Sequence, residues 1–369
     1  MTPVQLEIQL VAVLVAVACA LPGTFLVLRR MAMLSDAISH AILPGIVVGF
    51  FLTHDLGSPL LIALAALTGV LTVSLVELLH RTRLVREDAA IGLVFPMLFS
   101  LGVILIARYA GDVHLDTDAV LLGELAFVPF DRLQAGGLDL GPRAAWVMGG
   151  IVLLNTLFIT VFYKELKLAA FDAGLAAALG FAPAVLHYAL MGLVSVTAVA
   201  AFDAVGSILV VALMIGPPAT ARLLTDRLPW MIGGGVGLGA MSAVGGYGLA
   251  HLLDASIAGS MATMVGVLFG LAVLFAPGRG VVAAARRRAA QRWTFAQQML
   301  AVHLLHHEGT PEEADESAVD HLHAHLRWPP GFARQVVHRA EQQGLVIRLG
   351  DRLRLTEAGR ALARHSVRA

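Results

Sequence analysis

Nine apolar stretches follow one another along the first three quarters of the chain, at 8–28, 36–54, 59–79, 90–108, 145–163, 184–203, 205–222, 230–252 and 260–277. A helix needs about 20 apolar residues to cross a hydrocarbon core of ~30 Å, so the pattern predicts eight or nine transmembrane helices. The first stretch starts beside Glu7 and holds Pro22 and Gly23, without a charged leader or a small-residue cleavage site, and is expected to be a retained span. From Arg286 the period changes. Amphipathic helices are expected over 291–307, 315–327 and 331–343, followed by a break at Gly344. The alternating "LVIRLGDRLRLT" then turns at Gly350 and Asp351, and a last helix starts near 357. Three helices and a hairpin in that order predict a winged helix. The expected fold is an all-α polytopic membrane protein with a small α+β winged-helix domain: a membrane domain over 1–278, a basic linker over 279–290 and the winged helix over 291–369.

Composition agrees, with 58% hydrophobic and 14% charged residues and a mean hydropathy of +0.79, values outside the range of soluble globular domains. Charge then orients the spans, because Lys and Arg collect in cytoplasmic loops. Alternate loops hold Arg29 and Arg30; Arg81, Arg83 and Arg86; Lys164 and Lys167; Arg222 and Arg227; then Arg279. The opposite loops hold only Arg108, Arg132 and Arg143. The N-terminus is therefore expected outside and everything after about 278 in the cytoplasm. The net charge is zero, but residues 1–278 carry 12 basic and 17 acidic side chains and residues 279–369 carry 14 and 9; the tail reads as a separate basic module. One cysteine, Cys19, excludes intrachain disulfides and thiolate zinc clusters.

An ionisable side chain inside a span is costly and by default faces the bundle interior or a water-filled path. In "MLSDAISHAILPG" (33–45), Asp36 and His40 are four residues apart on one helix face, with Cβ atoms about 5–6 Å apart. Metal–oxygen and metal–imidazole bonds of about 2.0–2.2 Å let one cation bridge them. Pro44 removes the amide that would bond the His40 carbonyl and kinks the helix. A structural ion pair within reach of Arg29 or Arg30, or a proton relay, are the competing readings; a metal or proton path is preferred to the structural pair.

Small residues four apart, Gly45/Gly49, Gly233/Gly237, Gly235/Gly239 and Gly266/Gly270, are expected at close helix contacts. Asn155, His187, Ser195 and Thr197 are candidate interhelical hydrogen-bond formers. The broken segment 109–143 is expected outside the membrane, with a short interfacial or re-entrant helix over 119–130. Its acids, Asp112, Asp116, Asp118, Glu124, Asp131 and Asp139, with His114, give the outer mouth a cation-attracting field or simply form a solvated loop. In "KELKLAAFDAGLAAALGFAP" (164–183), Asp172 is expected to cap a short helix ended by Gly180 and Pro183. Such a helix either receives force from a partner or is a plain connector.

The two lysines, Lys164 and Lys167, do not follow a glycine, so this chain has no Walker A loop and is not expected to be an enzyme. Any ATP hydrolysis belongs to another subunit. Eight of the fourteen histidines lie in the tail. His303 and His307 at i and i+4, and His321, His323 and His325 in "HLHAH", could form a regulatory transition-metal site, although unliganded histidines are the preferred reading. Arg334 and Arg339, on the helix where a recognition helix would lie, could contact nucleic acid; protein contact is favoured.

The blocks "RRMAMLSDAISHAILPGIVVGF" (29–50) and "VSVTAVAAFDAVGSILVVALMIGPPATARLL" (194–224) resemble the hallmark blocks of the permease subunits of ABC importers for zinc, manganese and iron. The stretch "FDAGLAAALGFA" (171–182) is similar to that family's cytoplasmic coupling segment, which places Asp172, Ala176 and Gly180 at the ATPase contact. The resemblance covers about residues 8–278 and implies that Asp36 and His40 are the metal-contacting pair. It further implies a permease dimer with a second copy or a sister permease, a separate ATP-binding subunit, and an extracytoplasmic metal-binding protein. The tail departs from the minimal pattern and resembles the winged helix of repressors of the diphtheria-toxin-repressor type.

The expected function is the permease of an ATP-driven divalent-metal importer in a prokaryotic plasma membrane, among membrane lipids, with no permanently bound cofactor. Manganese, iron(II) and zinc all suit oxygen plus nitrogen ligation; manganese or iron is preferred on the tail's resemblance. A membrane-tethered metal-responsive transcriptional regulator and an ion-coupled secondary transporter are the alternatives.

Overall fold

The computed structural model describes residues 2–54, 58–109, 125–135, 138–319, 321–322 and 326–368. The chain divides into two compact units, Met1–Arg279 and Gly280–Ala369.

The first unit is a helical bundle with nine candidate membrane spans among the described residues. Its elements are α1 (Pro3–Leu28), α2 (Ala32–Ala41), α3 (Leu43–Thr53), α4 (Pro59–Arg81) and α5 (Glu87–Tyr109), then a 3₁₀ turn (Leu125–Phe130) and a hairpin of β1 (Arg132–Ala135) and β2 (Leu138–Pro142). There follow α6 (Arg143–Val161), α7 (Tyr163–Phe171), α8 (Ala173–Ala178), α9 (Pro183–Val205), α10 (Ser207–Leu224), α11 (Leu228–Leu253) and α12 (Ile257–Phe275). Together α2 and α3 make one span.

Helix α1 is the central rod and packs against α6, α9, α10 and α11. Small residues let it come close. A Cβ on Gly23 would lie 1.9 Å from the Met214 carbonyl oxygen on α10, so the two backbones touch there. Gly45 and Gly49 seat α3 on α4 at Ala65 and Leu61, and Gly239 of α11 meets Ala16. Gly233, Gly237, Gly266 and Gly270 meet nothing within 4 Å among the described residues.

Buried polar groups add direction to this packing. Asn155 of α6 is fully buried and donates from Nδ2 to the Ala18 carbonyl of α1 (2.8 Å) and to Thr197 Oγ1 of α9 (3.0 Å). At one end of the bundle Arg132 of β1 makes a two-pronged pair with Glu7 of α1 (3.0 and 3.2 Å) and holds Asp139 at 2.6 Å. The Gly141 amide and Arg132 keep the Asp139 carboxyl below the usual carboxylate range. Near the end of the first unit, Asp226 binds both Arg222 (2.6 Å) and Arg279.

The hairpin and the 3₁₀ turn stand where the sequence suggests only a loop or a short interfacial helix. Residues 110–124, including Asp112, His114, Asp116, Asp118 and Glu124, lie outside the described residues.

The second unit contains α13 (Val281–His307), the short α14 (Glu313–Glu316), α15 (Pro330–Gln342), the antiparallel pair β3 (Val346–Leu349) and β4 (Arg352–Leu355), and α16 (Glu357–Arg368). Its core joins Leu300, Leu304, Leu322, Val336, Val337, Leu353 and Ala363. The two-residue turn between the strands starts at Gly350, whose φ of +68° suits glycine at the first position of a tight hairpin. The stretch 279–290 is helical from Val281 onward. The helix expected over 315–327 is interrupted, because the Val319 amide donates to the Asp351 carbonyl and the Leu353 amide donates to the Ser317 carbonyl, drawing 317–319 alongside β4.

Candidate functional site

Helix α2 buries Leu34, Ser35, Ala37, Ile38, Ser39 and Ala41 and packs against α1, α4, α5, α9 and α10. Ser39 satisfies its hydroxyl locally by donating to the Ser35 carbonyl at 2.9 Å. Within this apolar surround only two side chains of the helix carry ionisable groups, Asp36 and His40. Their facing atoms, Asp36 Oδ1 and His40 Nε2, are 3.7 Å apart, with 46% and 28% of the respective side chains exposed. The helix stops at Ala41, turns through Ile42 and restarts at Leu43, with Pro44 in the first turn of α3. Proline is tolerated there because first-turn amides have no intrahelical partner.

A separation of 3.7 Å is long for a hydrogen bond. Neighbouring ligands of a tetrahedral ion with bonds of about 2.1 Å are roughly 3.4 Å apart, so a small side-chain adjustment would bring both atoms onto one cation. Both side chains are partly open, so a cation can enter and leave. The His40 ring is flanked by Phe95 (centroids 5.6 Å apart) and Phe99 (6.2 Å) of α5, which fix its plane. These phenylalanines form a one-turn pair that the sequence reading missed; the i, i+4 spacing was visible, but that it meets His40 is a tertiary fact.

The structural reading, an ion pair between Asp36 and His40, remains compatible with this geometry, but no arginine joins it among the described residues. Arg29 turns to α9, with Nη1 3.1 Å from His187 Nδ1, and among the described residues Asp36 pairs with His40 and with no arginine. Burial pushes the Arg29 pKa down.

The segment between α6 and α9 is two short helices. Asp172 caps α8, its Oδ1 accepting from the Leu175 amide at 2.8 Å. At the other end the Phe181 amide donates to the Ala176 carbonyl and the Gly180 amide to the Ala177 carbonyl, with Gly180 at φ +87°. This is the Schellman arrangement, in which glycine takes the left-handed position. Ala176 is buried, while Phe171, Leu175 and Leu179 are exposed, so α8 presents a small apolar face. Pro183 starts α9 directly after it.

In the second unit His303 and His307 come together with Glu316. His321 Nδ1 is 3.7 Å from the Glu316 carboxylate. His323 and His325 lie outside the described residues. Arg334 and Arg339 are both exposed, and the Arg339 guanidinium lies 3.8 Å over the Trp293 ring.

Residues 2–276 match the ABC 3 transport family. The chain is 48% identical over 358 residues to the zinc transport system membrane protein TroD of Treponema pallidum, covering 97% of each chain, so that alignment takes in the C-terminal unit as well. It is 51% identical over 270 residues to the manganese transport system membrane protein MntD of Bacillus subtilis, covering 73% of this chain and 91% of that one. Among solved structures it resembles a chain of PsaBC from Streptococcus pneumoniae in complex with Fab, with a TM-score of 0.64 and 28% identity over 76% of this chain and 94% of that one. On the length of these matches and the nine-span bundle that accompanies them, the chain belongs to the ABC 3 transport family of membrane permeases from zinc, manganese and iron ABC importers.

Proposed function

We propose that this chain is the permease through which an ATP-driven importer passes a divalent transition metal, zinc, manganese or iron, across a plasma membrane. The observation that carries the reading is the Asp36–His40 pair: a carboxylate oxygen and an imidazole nitrogen 3.7 Å apart on a ten-residue helix that is broken at Ile42 and wedged among five others. The two side chains take a partly dehydrated cation as it passes and hold it by few ligands, because a conduit must release what it binds.

Asp172, Ala176 and Gly180 shape α8 as the surface that a separate ATP-binding subunit engages. An extracytoplasmic metal-binding protein delivers the cation, and a second copy of the chain or a sister permease completes the pathway. The charge distribution supports an outward N-terminus and a cytoplasmic tail. The order of helices and hairpin in 291–369, with 317–319 running beside β4, supports a winged helix joined to the 1–278 permease domain through the basic stretch 279–290. The stacking of Arg339 on Trp293 supports a contact or sensing role for that domain in preference to DNA reading.

The test is metal uptake by proteoliposomes holding the chain with its ATPase subunit. Uptake of radioactive zinc or manganese should require ATP and vanish in Asp36→Asn and His40→Ala. Uptake driven by a proton gradient through this chain alone would falsify the proposal in favour of secondary transport.

A further inference from the structure

We propose that His303, His307 and Glu316 form a second divalent-metal site, in the C-terminal unit and distinct from the Asp36–His40 pair. Among the described residues these three are the group of histidines and acids whose ligand atoms all lie within 4.8 Å of one another. His303 and His307 stand one turn apart on α13 with ring centroids 5.0 Å apart, and Glu316 ends the short α14 beside them. The Glu316 side chain is 8% exposed and that of His303 10%. A carboxylate so enclosed carries a desolvation cost that facing cations offset.

His303 Nε2 lies 3.2 Å from the Glu316 backbone carbonyl oxygen, a contact that a bound ion would displace. Glu316 Oε2 is 3.4 Å from His303 Nε2, beyond the usual hydrogen-bond length of about 2.9 Å. It equals the roughly 3.3 Å between neighbouring ligands around a tetrahedral ion with bonds near 2.0–2.1 Å. His307, with a ring nitrogen within 4.8 Å of the other two ligand atoms, supplies the third position. His321 Nδ1, 3.7 Å from the same carboxylate oxygen and 45% exposed, is placed to give or withhold a fourth bond from the solvent side. Two or three imidazoles and one carboxylate select zinc or iron(II) over calcium or magnesium, which prefer all-oxygen shells. Three enclosed ligands with one adjustable position make a site that loads and unloads with the free cation, unlike a closed structural site.

The site also ties α13 to α14 next to the strand contact of 317–319, so occupancy stiffens 317–319. Neither the ligand geometry nor its test depends on whether Asp36 and His40 conduct metal.

The experiment uses the full chain in detergent, stripped with chelator, in an Asp36→Asn/His40→Gln background that removes the first pair. Cobalt(II), a visible stand-in for zinc, is titrated in and its d–d absorption recorded. The background protein is expected to bind one equivalent with the intense bands of a four-coordinate ion. Adding His307→Ala should weaken binding by at least about tenfold, and Glu316→Gln by as much or more. Unchanged stoichiometry and spectrum in both variants would overturn the proposal. Because Glu316 is enclosed and its replacement can disturb folding, X-ray absorption of the zinc-loaded background protein is the second measurement. It should show at least two imidazole nitrogens in the first shell, and an all-oxygen shell would equally overturn the site.

Discussion

Gly23→Ala should destabilise the bundle sharply, although it adds one methyl group to a helix. That methyl would lie 1.9 Å from the Met214 carbonyl oxygen and 2.8 Å from its carbonyl carbon. Non-bonded heavy atoms rest at roughly 3.5 Å, so α1 and α10 must part by about 1.5 Å at this point. Overpacking costs about 1–3 kcal/mol where side chains can yield, and here the obstacle is backbone, which places the change at about 3 kcal/mol. Alanine's better helix propensity returns about 0.5–1 kcal/mol, leaving a net loss near 2 kcal/mol. Gly149→Ala on α6 is the control, since its Cβ meets nothing within 4 Å among the described residues. Detergent-solubilised variants titrated with a denaturing detergent give the difference directly. Because α1 and α10 both pack on α2, metal uptake should fall in Gly23→Ala and survive in Gly149→Ala. Equal stability of the two variants would refute the close approach on which the packing argument rests.

Other substitutions probe other links. Asn155→Ala and Thr197→Val, measured singly and together, should show a coupling of about 0.6 kcal/mol and no more than about 1.7, the range for hydrogen bonds between membrane helices; additivity would mean that the two side chains do not bond. Gly180→Val forces a β-branched residue to φ +87° at a strain of about 1–3 kcal/mol. It should uncouple ATP hydrolysis from uptake while Gly180→Asn, which tolerates that backbone, stays active; equal activity of the two would remove α8 from the coupling role. Arg360 holds the Glu308 carboxyl below the usual carboxylate range. A depressed folded pKa contributes stability above the unfolded value of about 4.3 and loses it as pH falls through the folded one. Acid unfolding of the second unit below about pH 4, followed by Trp293 and Trp328 fluorescence with Trp146 and Trp230 replaced by Phe, should therefore flatten in Glu308→Gln.

Hydropathy located each of the nine candidate spans because about 20 apolar residues in a row have few other uses. It misplaced the start of the second, which begins at Ala32 and not at 36: Ser35, Asp36, Ser39 and His40 lower the local average although most of that helix is buried. The β1–β2 hairpin was hidden for the opposite reason, since strands of four and five residues broken by glycine carry little periodicity. Glycine spacing marked faces but not their partners. Gly45/Gly49 and Gly233/Gly237 read alike, and only at the first pair would a Cβ come within 4 Å of another helix among the described residues. At the pair itself, the Asp36–His40 spacing was legible from helix geometry alone. What surrounds it, Phe95 and Phe99 from α5 and the turning away of Arg29 towards His187, depends on chain segments far apart in sequence. In the tail, His303/His307 was legible as a pair, whereas Glu316 as its third member required the fold of α14 back onto α13.

The arrangement gives the proposed transport cycle a mechanical route. Helix α9 starts at Pro183, immediately after the turn that closes α8, and continues to Val205 packed on both α2 and α4. A displacement of α8 by an ATPase subunit therefore acts on a 23-residue rod one of whose faces touches the helix bearing Asp36 and His40. Because α2 is joined to α3 only through Ile42, with Pro44 preventing one further backbone bond across the break, α2 can tilt while α3 stays seated on α4 through Gly45 and Gly49. Asp36 and His40 stand on the same helix, so such a tilt would carry both side chains, and an ion bridging them, past Phe95 and Phe99 of α5 while leaving the 3.7 Å gap unchanged.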